Sequence, residues 1–159
     1  MRVGLGIDTH RFAEGRPLIL GGVEIPHERG LAGHSDADVL AHAITDAILG
    51  AADMGDIGQH FPDTDARFKD ADSVALLREV VALVRAEGWK VAHVDATVMM
   101  ERPKLAPHRE AIATRLREAV GASVSVKATT GERMGFVGRE EGVAAMAVAT
   151  LMRTESPAG

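Results

Sequence analysis

Apolar residues recur at intervals of three and four along three stretches of the chain, a spacing that predicts three amphipathic helices. These helices are expected over residues 35–52, 73–87 and 107–121, with Ser35 or Asp36 capping the first of them. The apolar stripe of the first helix comprises Leu40, Ala43, Ile44, Ala47, Ile48 and Ala51. Three polar residues of that helix lie outside the stripe, namely His42, Thr45 and Asp46.

Short apolar runs and alternation of apolar with polar residues predict strands around these helices. The strands are expected at residues 2–12, 18–20, 23–25, 91–100, 123–129 and 142–152. The last strand is apolar enough to be buried on both faces, and residues 53–72 form a long acidic loop. This order predicts an α/β fold, an α+β two-layer sandwich in which helices cover one side of a mixed sheet. Residues 1–159 are expected to form a single domain.

Composition narrows the chemistry that such a fold can perform. The chain has no Cys, so disulfides and thiolate nucleophiles are excluded and any metal must bind His, Asp or Glu. A net charge of −5 without a long basic run argues against nucleic-acid and anionic-membrane partners. Residues 143–152 are too short an apolar stretch to span a bilayer, and residues 1–6 lack a signal-peptide core. We therefore expect a cytoplasmic protein.

A candidate metal site combines the first strand with the first helix. Asp8 and His10 are separated by one residue in a strand, so their side chains point to the same face. His42 could supply a third ligand from the helix, and two His with one carboxylate make a common catalytic zinc set with an open fourth position. In the alternative interpretation, Asp8 caps a turn and both His are ordinary surface residues.

Two polar segments contain groups that bind phosphate. Residues 34–38 stand at the entrance to the first helix, where free N–H groups favour an anion. Residues 127–132 place hydroxyls and backbone amides beside a glycine, and Glu132 is suited to a Mg²⁺ ion that bridges two phosphates. Arg139 could neutralise further phosphate charge. The alternatives are a simple capping segment for the first and a flexible hairpin for the second.

Two other segments are candidates for the uncharged parts of a ligand. The carboxylates within residues 56–65 could orient sugar hydroxyls or bind a hard cation. Residues 102–107 form a turn held by two prolines, whose exposed main-chain groups could contact the edge of a base. A solvated acidic loop and a plain strand-to-helix connection remain the alternatives for these two segments.

Taken in order, these motifs resemble the 2-C-methyl-D-erythritol 2,4-cyclodiphosphate synthase family over residues 2–153. The resemblance is carried by Gly6-Ile7-Asp8-Thr9-His10, Gly21-Gly22-Val23, Ala32-Gly33-His34-Ser35-Asp36-Ala37-Asp38, His42-Ala43-Ile44-Thr45-Asp46, Gly55-Asp56-Ile57-Gly58, His60-Phe61-Pro62-Asp63-Thr64-Asp65, Arg102-Pro103-Lys104, Pro107-His108, Val126-Lys127-Ala128-Thr129-Thr130, Glu132, Gly135-Phe136 and Gly138-Arg139. The stretches at residues 34–38 and 61–65 are quite specific.

The resemblance implies that 4-diphosphocytidyl-2-C-methyl-D-erythritol 2-phosphate closes to the cyclic diphosphate with release of CMP. It implies Zn²⁺ on Asp8, His10 and His42, and Mg²⁺ or Mn²⁺ on Glu132. It implies that His34 and Thr130 stabilise the transition state. The implied substrate contacts are Asp8, His10, His34, Ser35, Asp56, Ile57, Gly58, Phe61, Pro62, Asp63, Thr64, Asp65, Met100, Glu101, Arg102, Pro103, Lys104, Leu105, Ala106, Thr129, Thr130, Gly131, Glu132, Phe136 and Arg139. The implied assembly is a homotrimer with active sites between subunits.

The chain departs from the family pattern at Glu101-Arg102, where a backbone-based contact should tolerate the change, and at Gly131, which is expected to loosen its loop. Two other functions are compatible with a zinc site. One is a metal-dependent phosphodiesterase, which would give an opened product instead of a cyclic one. The other is a trimeric module that binds an isoprenoid or diphosphate ligand around a structural zinc.

Overall fold

The computed structural model describes residues 1–154. Its strands are β1 (Arg2–Ala13), β2 (Leu18–Leu20), β3 (Val23–Ile25), β4 (Gly30–Leu31), β5 (Trp89–Met99), β6 (Ser123–Thr129) and β7 (Gly142–Arg153). Its α-helices are α1 (Val39–Ala52), α2 (Ile57–His60), α3 (Ser73–Ala86), α4 (Arg109–Val120) and α5 (Gly135–Gly138). Single turns of 3₁₀-helix lie at Ala66–Phe68 and Ala106–His108.

The main sheet has the strand order β4-β1-β7-β5-β6, and β2 pairs with β3 in a separate two-stranded sheet. Within the main sheet β5 and β6 run parallel, whereas the other neighbouring strands are antiparallel. The mixed α/β fold expected from the sequence is therefore confirmed. The predicted helices correspond to α1, α3 and α4, and the predicted acidic loop contains α2 and one 3₁₀ turn.

The start of α1 differs from the prediction. Asp38 caps the helix, and its carboxylate accepts a hydrogen bond from the backbone N–H of Ala41 at 3.0 Å. Ser35 and Asp36 lie too early in the chain to cap it, because Ala37 has a φ of 57° and this left-handed conformation interrupts the helix. The cap is wholly buried, which is unusual for a carboxylate and ties the helix start to the surrounding structure.

Helix α1 lies directly on the backbone of β1. A Cβ atom on Gly6 would be only 1.9 Å from the carbonyl oxygen of Ala43, and one on Gly4 would be 2.1 Å from that of Ala47. The two glycines and the small helix residues therefore allow a closer approach than any larger side chain would permit. This approach brings the polar residues of α1 next to the side chains that follow Gly6 on the strand.

The opposite face of the sheet is apolar and exposed in the single chain. Val3, Leu5 and Ile7 are 60%, 61% and 55% exposed. Leu5 pairs across the sheet with Val148, and Ile7 pairs with Met146, which are 40% and 39% exposed. We call these five residues the apolar patch. The prediction that the last strand is buried on both faces is wrong for the chain alone, because helices cover only one side of the sheet.

Candidate metal centre and substrate cavities

Three ligand atoms converge where β1 meets α1. The Oδ2 atom of Asp8 lies 2.9 Å from Nε2 of His10 and 3.0 Å from Nδ1 of His42, and the two imidazole nitrogens are 3.2 Å apart. The spacing argument is confirmed, because Asp8 and His10 continue the row of Gly4 and Gly6 that faces the helix. The side chains of His10 and His42 are only 18% and 13% exposed, so neither is an ordinary surface residue.

The orientation of His10 suits it for binding a cation. Its Nδ1 atom lies 2.6 Å from the carbonyl oxygen of Ala32. A carbonyl oxygen only accepts hydrogen bonds, so Nδ1 carries the hydrogen and the lone pair of Nε2 points toward Asp8. Ligands at about 2.0–2.1 Å from a tetrahedral zinc ion are separated from each other by roughly 3.3 Å. The observed separations are slightly shorter, so the three residues fit a zinc ion after a small adjustment.

Electrostatics also favours a positive charge within this cluster. Burial raises the pKa of Asp8, but hydrogen bonds and opposite charge from His10 and His42 outweigh burial and lower that pKa to about 2. Burial lowers the pKa of His10, and the hydrogen bond and charge of Asp8 outweigh it, so that the net pKa is raised. The carboxylate and the imidazoles thus attract a proton or a metal ion into the space between them.

A cavity of about 480 Å³ opens beside these ligands. Its lining includes most of the predicted sugar-binding and phosphate-binding residues of the first half of the chain, namely His34, Ser35, Ile57, Gly58, Phe61, Pro62 and Asp63. Gly33, Phe68 and Leu76 also line it and were not predicted. Nothing in the sequence singles out Leu76 from the other apolar residues of its helix, or Phe68 from a surface aromatic. We call this space the metal cavity.

Three predicted contacts of the acidic loop do not line the metal cavity. The carboxylate of Asp56 caps α2 and accepts a hydrogen bond from the N–H of Gln59 at 3.0 Å. The carboxylate of Asp65 pairs with Arg67, while its carbonyl oxygen accepts a hydrogen bond from Nε2 of His34 at 3.2 Å. Thr64, the third, is exposed. Asp56 and Asp65 therefore shape the loop and orient its neighbours in this structure.

A second cavity, of about 230 Å³, brings together most of the predicted contacts at residues 100–106 and 129–132, but Arg102, Pro103, Gly131 and Glu132 do not line it. Its lining comprises Met100, Glu101, Lys104, Leu105, Ala106, Arg109, Ala128, Thr129 and Thr130. Met100 and Leu105 are only 5% and 3% exposed, so their side chains belong to the core. Recognition of a base through backbone groups stays a prediction. We call this space the nucleotide cavity.

Two of the residues that depart from the family pattern, Glu101 and Gly131, contact each other. Gly131 donates its N–H to Oε2 of Glu101 at 2.9 Å, and a Cβ on Gly131 would be 2.6 Å from the backbone nitrogen of Gly138. The expectation that Gly131 loosens its loop is therefore wrong, because the backbone is closely packed there. Arg102 donates two hydrogen bonds to Glu140, both at 2.9 Å, and does not line the nucleotide cavity.

The remaining predicted residues are Glu132, Phe136 and Arg139, which come after Thr130 in the chain. Thr130 donates a hydrogen bond from Oγ1 to Oε1 of Glu132 at 3.2 Å. Phe136 lines a third cavity of about 290 Å³ that also includes His10, and Arg139 pairs with Glu141 at 2.9 Å. Within residues 1–154 no second group of three metal-binding side chains converges as Asp8, His10 and His42 do. An ion on Glu132 would therefore need its other ligands from outside this group, such as phosphate oxygens of a ligand or water.

An α/β fold with a carboxylate and two imidazoles converging at a cavity wall is typical of enzymes that bind a metal ion. The chain belongs to the YgbB family, whose sequence model matches residues 1–152. No helix within the described residues has the length and apolar character needed to cross a membrane.

Named relatives and solved structures agree with this family. The 2-C-methyl-D-erythritol 2,4-cyclodiphosphate synthase of Salinibacter ruber is 63% identical over 154 residues, which covers 95% of this chain and 98% of the relative. A CDP-bound structure of 2C-methyl-D-erythritol-2,4-cyclodiphosphate synthase superposes with a TM-score of 0.87 at 40% identity, over 95% of this chain and all of that one. The bifunctional IspDF of Campylobacter jejuni gives a TM-score of 0.93 at 44% identity, over 97% of this chain and 42% of that protein.

Proposed function

We propose that the metal cavity and the nucleotide cavity together convert 4-diphosphocytidyl-2-C-methyl-D-erythritol 2-phosphate to 2-C-methyl-D-erythritol 2,4-cyclodiphosphate and CMP. Curated relatives at 56–63% identity over nearly the whole chain carry the name of this synthase of the non-mevalonate isoprenoid pathway. The observation that carries the proposal is the convergence of Asp8, His10 and His42 within 3.2 Å of one another at a cavity able to hold a phosphorylated sugar.

The reaction needs no nucleophilic side chain. An oxygen of the substrate's 2-phosphate attacks the β-phosphorus, a new P–O bond forms, and the bond from that phosphorus to the oxygen bridging to the α-phosphate breaks. CMP leaves with this oxygen and its electron pair. The chain must therefore bend a flexible polyanion into an in-line arrangement and neutralise its charge. The absence of Cys from the chain is compatible with this mechanism.

Residues of the two cavities would divide this work. When bound, Zn²⁺ on Asp8, His10 and His42 and Mg²⁺ or Mn²⁺ on Glu132 would supply the positive charge that the diphosphate needs in the transition state. Ile57, Gly58 and the loop of residues 61–65 would hold the methylerythritol part, with Asp56 supporting the loop. His34, which lines the metal cavity, and Thr130, which lines the nucleotide cavity, would stabilise the charge that develops on the phosphate oxygens.

A homotrimer with active sites between subunits is part of the proposal. The apolar patch of Val3, Leu5, Ile7, Met146 and Val148 is a large exposed surface for one chain, and such surfaces mark contacts with partners. The metal cavity and the nucleotide cavity have no lining residue in common. A second copy that covers the patch could bring its nucleotide cavity to face the metal cavity of the first. Covering the patch would also bury β7 on both faces, as its composition predicts.

Product analysis tests the reaction. The protein is incubated with the cytidyl substrate, Mg²⁺ and Zn²⁺, and the products are followed by phosphorus NMR and chromatography. Formation of CMP with the cyclic diphosphate supports the proposal, whereas an opened product would indicate a phosphodiesterase. Chelation of the metal should abolish turnover. His42→Ala should remain folded and lose turnover, whereas loss of the folded state in this variant would indicate a structural zinc in a binding module.

Mass measurement in solution tests the assembly. Analytical ultracentrifugation should give three times the chain mass of 16.8 kDa. Ile7→Glu introduces a charge into the apolar patch and should yield monomers with reduced turnover. Thr114→Glu on the exposed surface of α4 is the matched control and should leave the mass unchanged. A wild-type protein that sediments as a monomer at working concentrations would refute the trimer.

A further inference from the structure

The second nitrogen of His42 belongs to a hydrogen-bonded chain that the proposed reaction does not use. While Nδ1 faces Asp8, Nε2 lies 2.8 Å from the hydroxyl oxygen of Ser73, the first residue of α3. Ser73 is only 1% exposed, and its hydroxyl in turn lies 2.5 Å from Oδ1 of Asp36. The contact between the two helices at this point is therefore polar and buried, with the imidazole at one end and a carboxylate at the other.

The direction of each hydrogen bond in this chain follows from the number of hydrogens available. An ionised carboxylate only accepts, and the hydroxyl of Ser73 has a single hydrogen to donate. That hydrogen goes to Asp36, because the carboxylate oxygen beside it can only accept. The oxygen of Ser73 must then accept from His42, so Nε2 carries the hydrogen. With Nε2 as the donor to Ser73, Nδ1 is the nitrogen whose lone pair is available when a metal ion takes the place of the hydrogen shared with Asp8.

Asp36 is itself held in place by backbone groups. Its Oδ2 atom accepts a hydrogen bond from the N–H of Ser73 at 3.1 Å, and its Oδ1 atom accepts one from the N–H of Asp38, also at 3.1 Å. Its own N–H donates to the carbonyl oxygen of Ala71 at 3.1 Å. The carboxylate thus connects the start of α1 to the start of α3 and cannot turn away from Ser73 without losing these bonds.

A neighbouring serine provides the competing arrangement. The hydroxyl oxygen of Ser35 lies 3.2 Å from Nε2 of His42, and a hydrogen donated by Ser35 would force the opposite tautomer. In that tautomer the lone pair of Nε2 would face the lone pair of the Ser73 oxygen at 2.8 Å, which is a repulsive contact. The shorter contact therefore decides the tautomer, and Ser35 is left to accept from the N–H of Ala37 at 3.2 Å.

We propose that Ser73 and Asp36 are positioning residues that hold His42 as the tautomer whose Nδ1 atom binds the metal. The pair deepens the proposed function and rests on its metal site, because it acts on substrate only through His42. In metal proteins, groups that hydrogen-bond to a ligating imidazole fix its tautomer and ring orientation, and their removal costs about 10–100-fold in metal affinity. His10 has the corresponding partner in the carbonyl oxygen of Ala32. In each imidazole of the cluster, the nitrogen that does not face Asp8 is thus held by a hydrogen bond.

Metal affinity of purified variants provides the first test. Zn²⁺ affinity is measured by competition with a chromophoric chelator for the wild type, Ser73→Ala and Asp36→Asn. We expect Ser73→Ala to lower the affinity by about 10–100-fold and Asp36→Asn, which retains shape but weakens the acceptor, to lower it by a smaller factor. Ser125→Ala, in β6, is the matched control and should not change it. Equal affinity of the wild type and a folded Ser73→Ala variant would overturn the inference.

The hydrogen on Nε2 of His42 provides a second readout that a merely structural role would not change. Nitrogen NMR spectra of His42 are recorded on the Zn²⁺-loaded proteins, in which the ion replaces the hydrogen that Nδ1 would otherwise donate to Asp8. In the wild type the Nε2 hydrogen should exchange slowly with water because it is bonded to Ser73, and in Ser73→Ala it should exchange faster. Equal exchange of this hydrogen in the wild type and a folded Ser73→Ala variant would refute the positioning role. A wild type that binds no Zn²⁺ would refute the metal site of the proposed function, whereas a wild type that binds Zn²⁺ no more tightly than Ser73→Ala would refute only the positioning role.

Discussion

The close contact between β1 and α1 can be tested by adding one methyl group. In Gly6→Ala the new Cβ would lie 1.9 Å from the carbonyl oxygen of Ala43 and 2.7 Å from the backbone nitrogen of Ala47. Both atoms belong to the helix backbone, so no side chain can rotate to make room. Ordinary carbon–oxygen contacts lie at about 3.3–3.6 Å, so the helix must retreat from the strand by roughly 1.5 Å.

That retreat should lower both stability and metal affinity. Overpacking of a core costs about 1–3 kcal/mol, and a clash between backbones belongs at or above the upper end of that range. The free energy of unfolding should therefore fall by about 3 kcal/mol. Since His42 moves with the helix while Asp8 and His10 stay on the strand, their 3.0 Å and 3.2 Å separations widen by far more than the tolerance of about 0.2 Å for metal–ligand distances.

Urea unfolding at fixed protein concentration and a Zn²⁺ competition titration measure these two effects. We expect at least a tenfold loss of Zn²⁺ affinity, equivalent to about 1.4 kcal/mol. Gly50→Ala is the control, because a Cβ there meets no atom within 4 Å and a helical alanine should add up to about 1 kcal/mol of stability. The reasoning is refuted if Gly6→Ala unfolds at the same urea concentration as the wild type and binds Zn²⁺ equally well.

Two other substitutions test the supports of the site. Asp38→Ala leaves three backbone N–H groups without their acceptor and should cost at least about 3 kcal/mol in urea unfolding. Asp72→Ala, at a cap whose side chain is 49% exposed, should cost only about 1 kcal/mol, and equal losses would contradict the importance of burial. Arg16 donates to the carbonyl oxygens of Gly33 and Ser35 at 2.6 and 2.5 Å. Arg16→Met should therefore lower kcat/KM about tenfold by releasing this loop, and unchanged kinetics would refute its role.

Local spacing in the sequence was sufficient to predict the metal cluster. One residue separates Asp8 from His10, and in a strand this fixes a common face whatever the rest of the fold does. The position of His42 outside the apolar stripe indicated that it was free to contact another element. The bounds of β2, β3 and β6 were also predicted correctly. A short apolar run bounded by glycine or polar residues is too short for a helix and is therefore most often a strand.

Features that depend on contacts between distant segments could not be predicted. The cap at Asp38 depends on the left-handed backbone of Ala37, which no residue preference signals, since alanine rarely adopts it. The partnership of Ser73 with His42 joins residues 31 positions apart. The exposed face of β7 was misjudged because apolar composition does not reveal whether a strand is covered by its own chain or by another copy. The helix cap, the partner of His42 and the burial of β7 therefore depend on tertiary and quaternary contacts, which the local sequence pattern does not specify.

The polar residues of α1 show how one helix can organise the whole site. Asp38, His42 and Asp46 are spaced four residues apart, so they lie along one side of the helix, about one turn from each other. Asp38 accepts hydrogen bonds from the turn between β2 and β3 and from the helix start, and His42 enters the metal cluster. Asp46 accepts a hydrogen bond at 2.7 Å from the N–H of Ile57, at the loop that borders the metal cavity. Because the helix is rigid and lies on β1 without intervening side chains, these three attachments are held at fixed distances from Asp8 and His10. The precision of the site thus comes from the two glycines beneath the helix as much as from the ligands themselves.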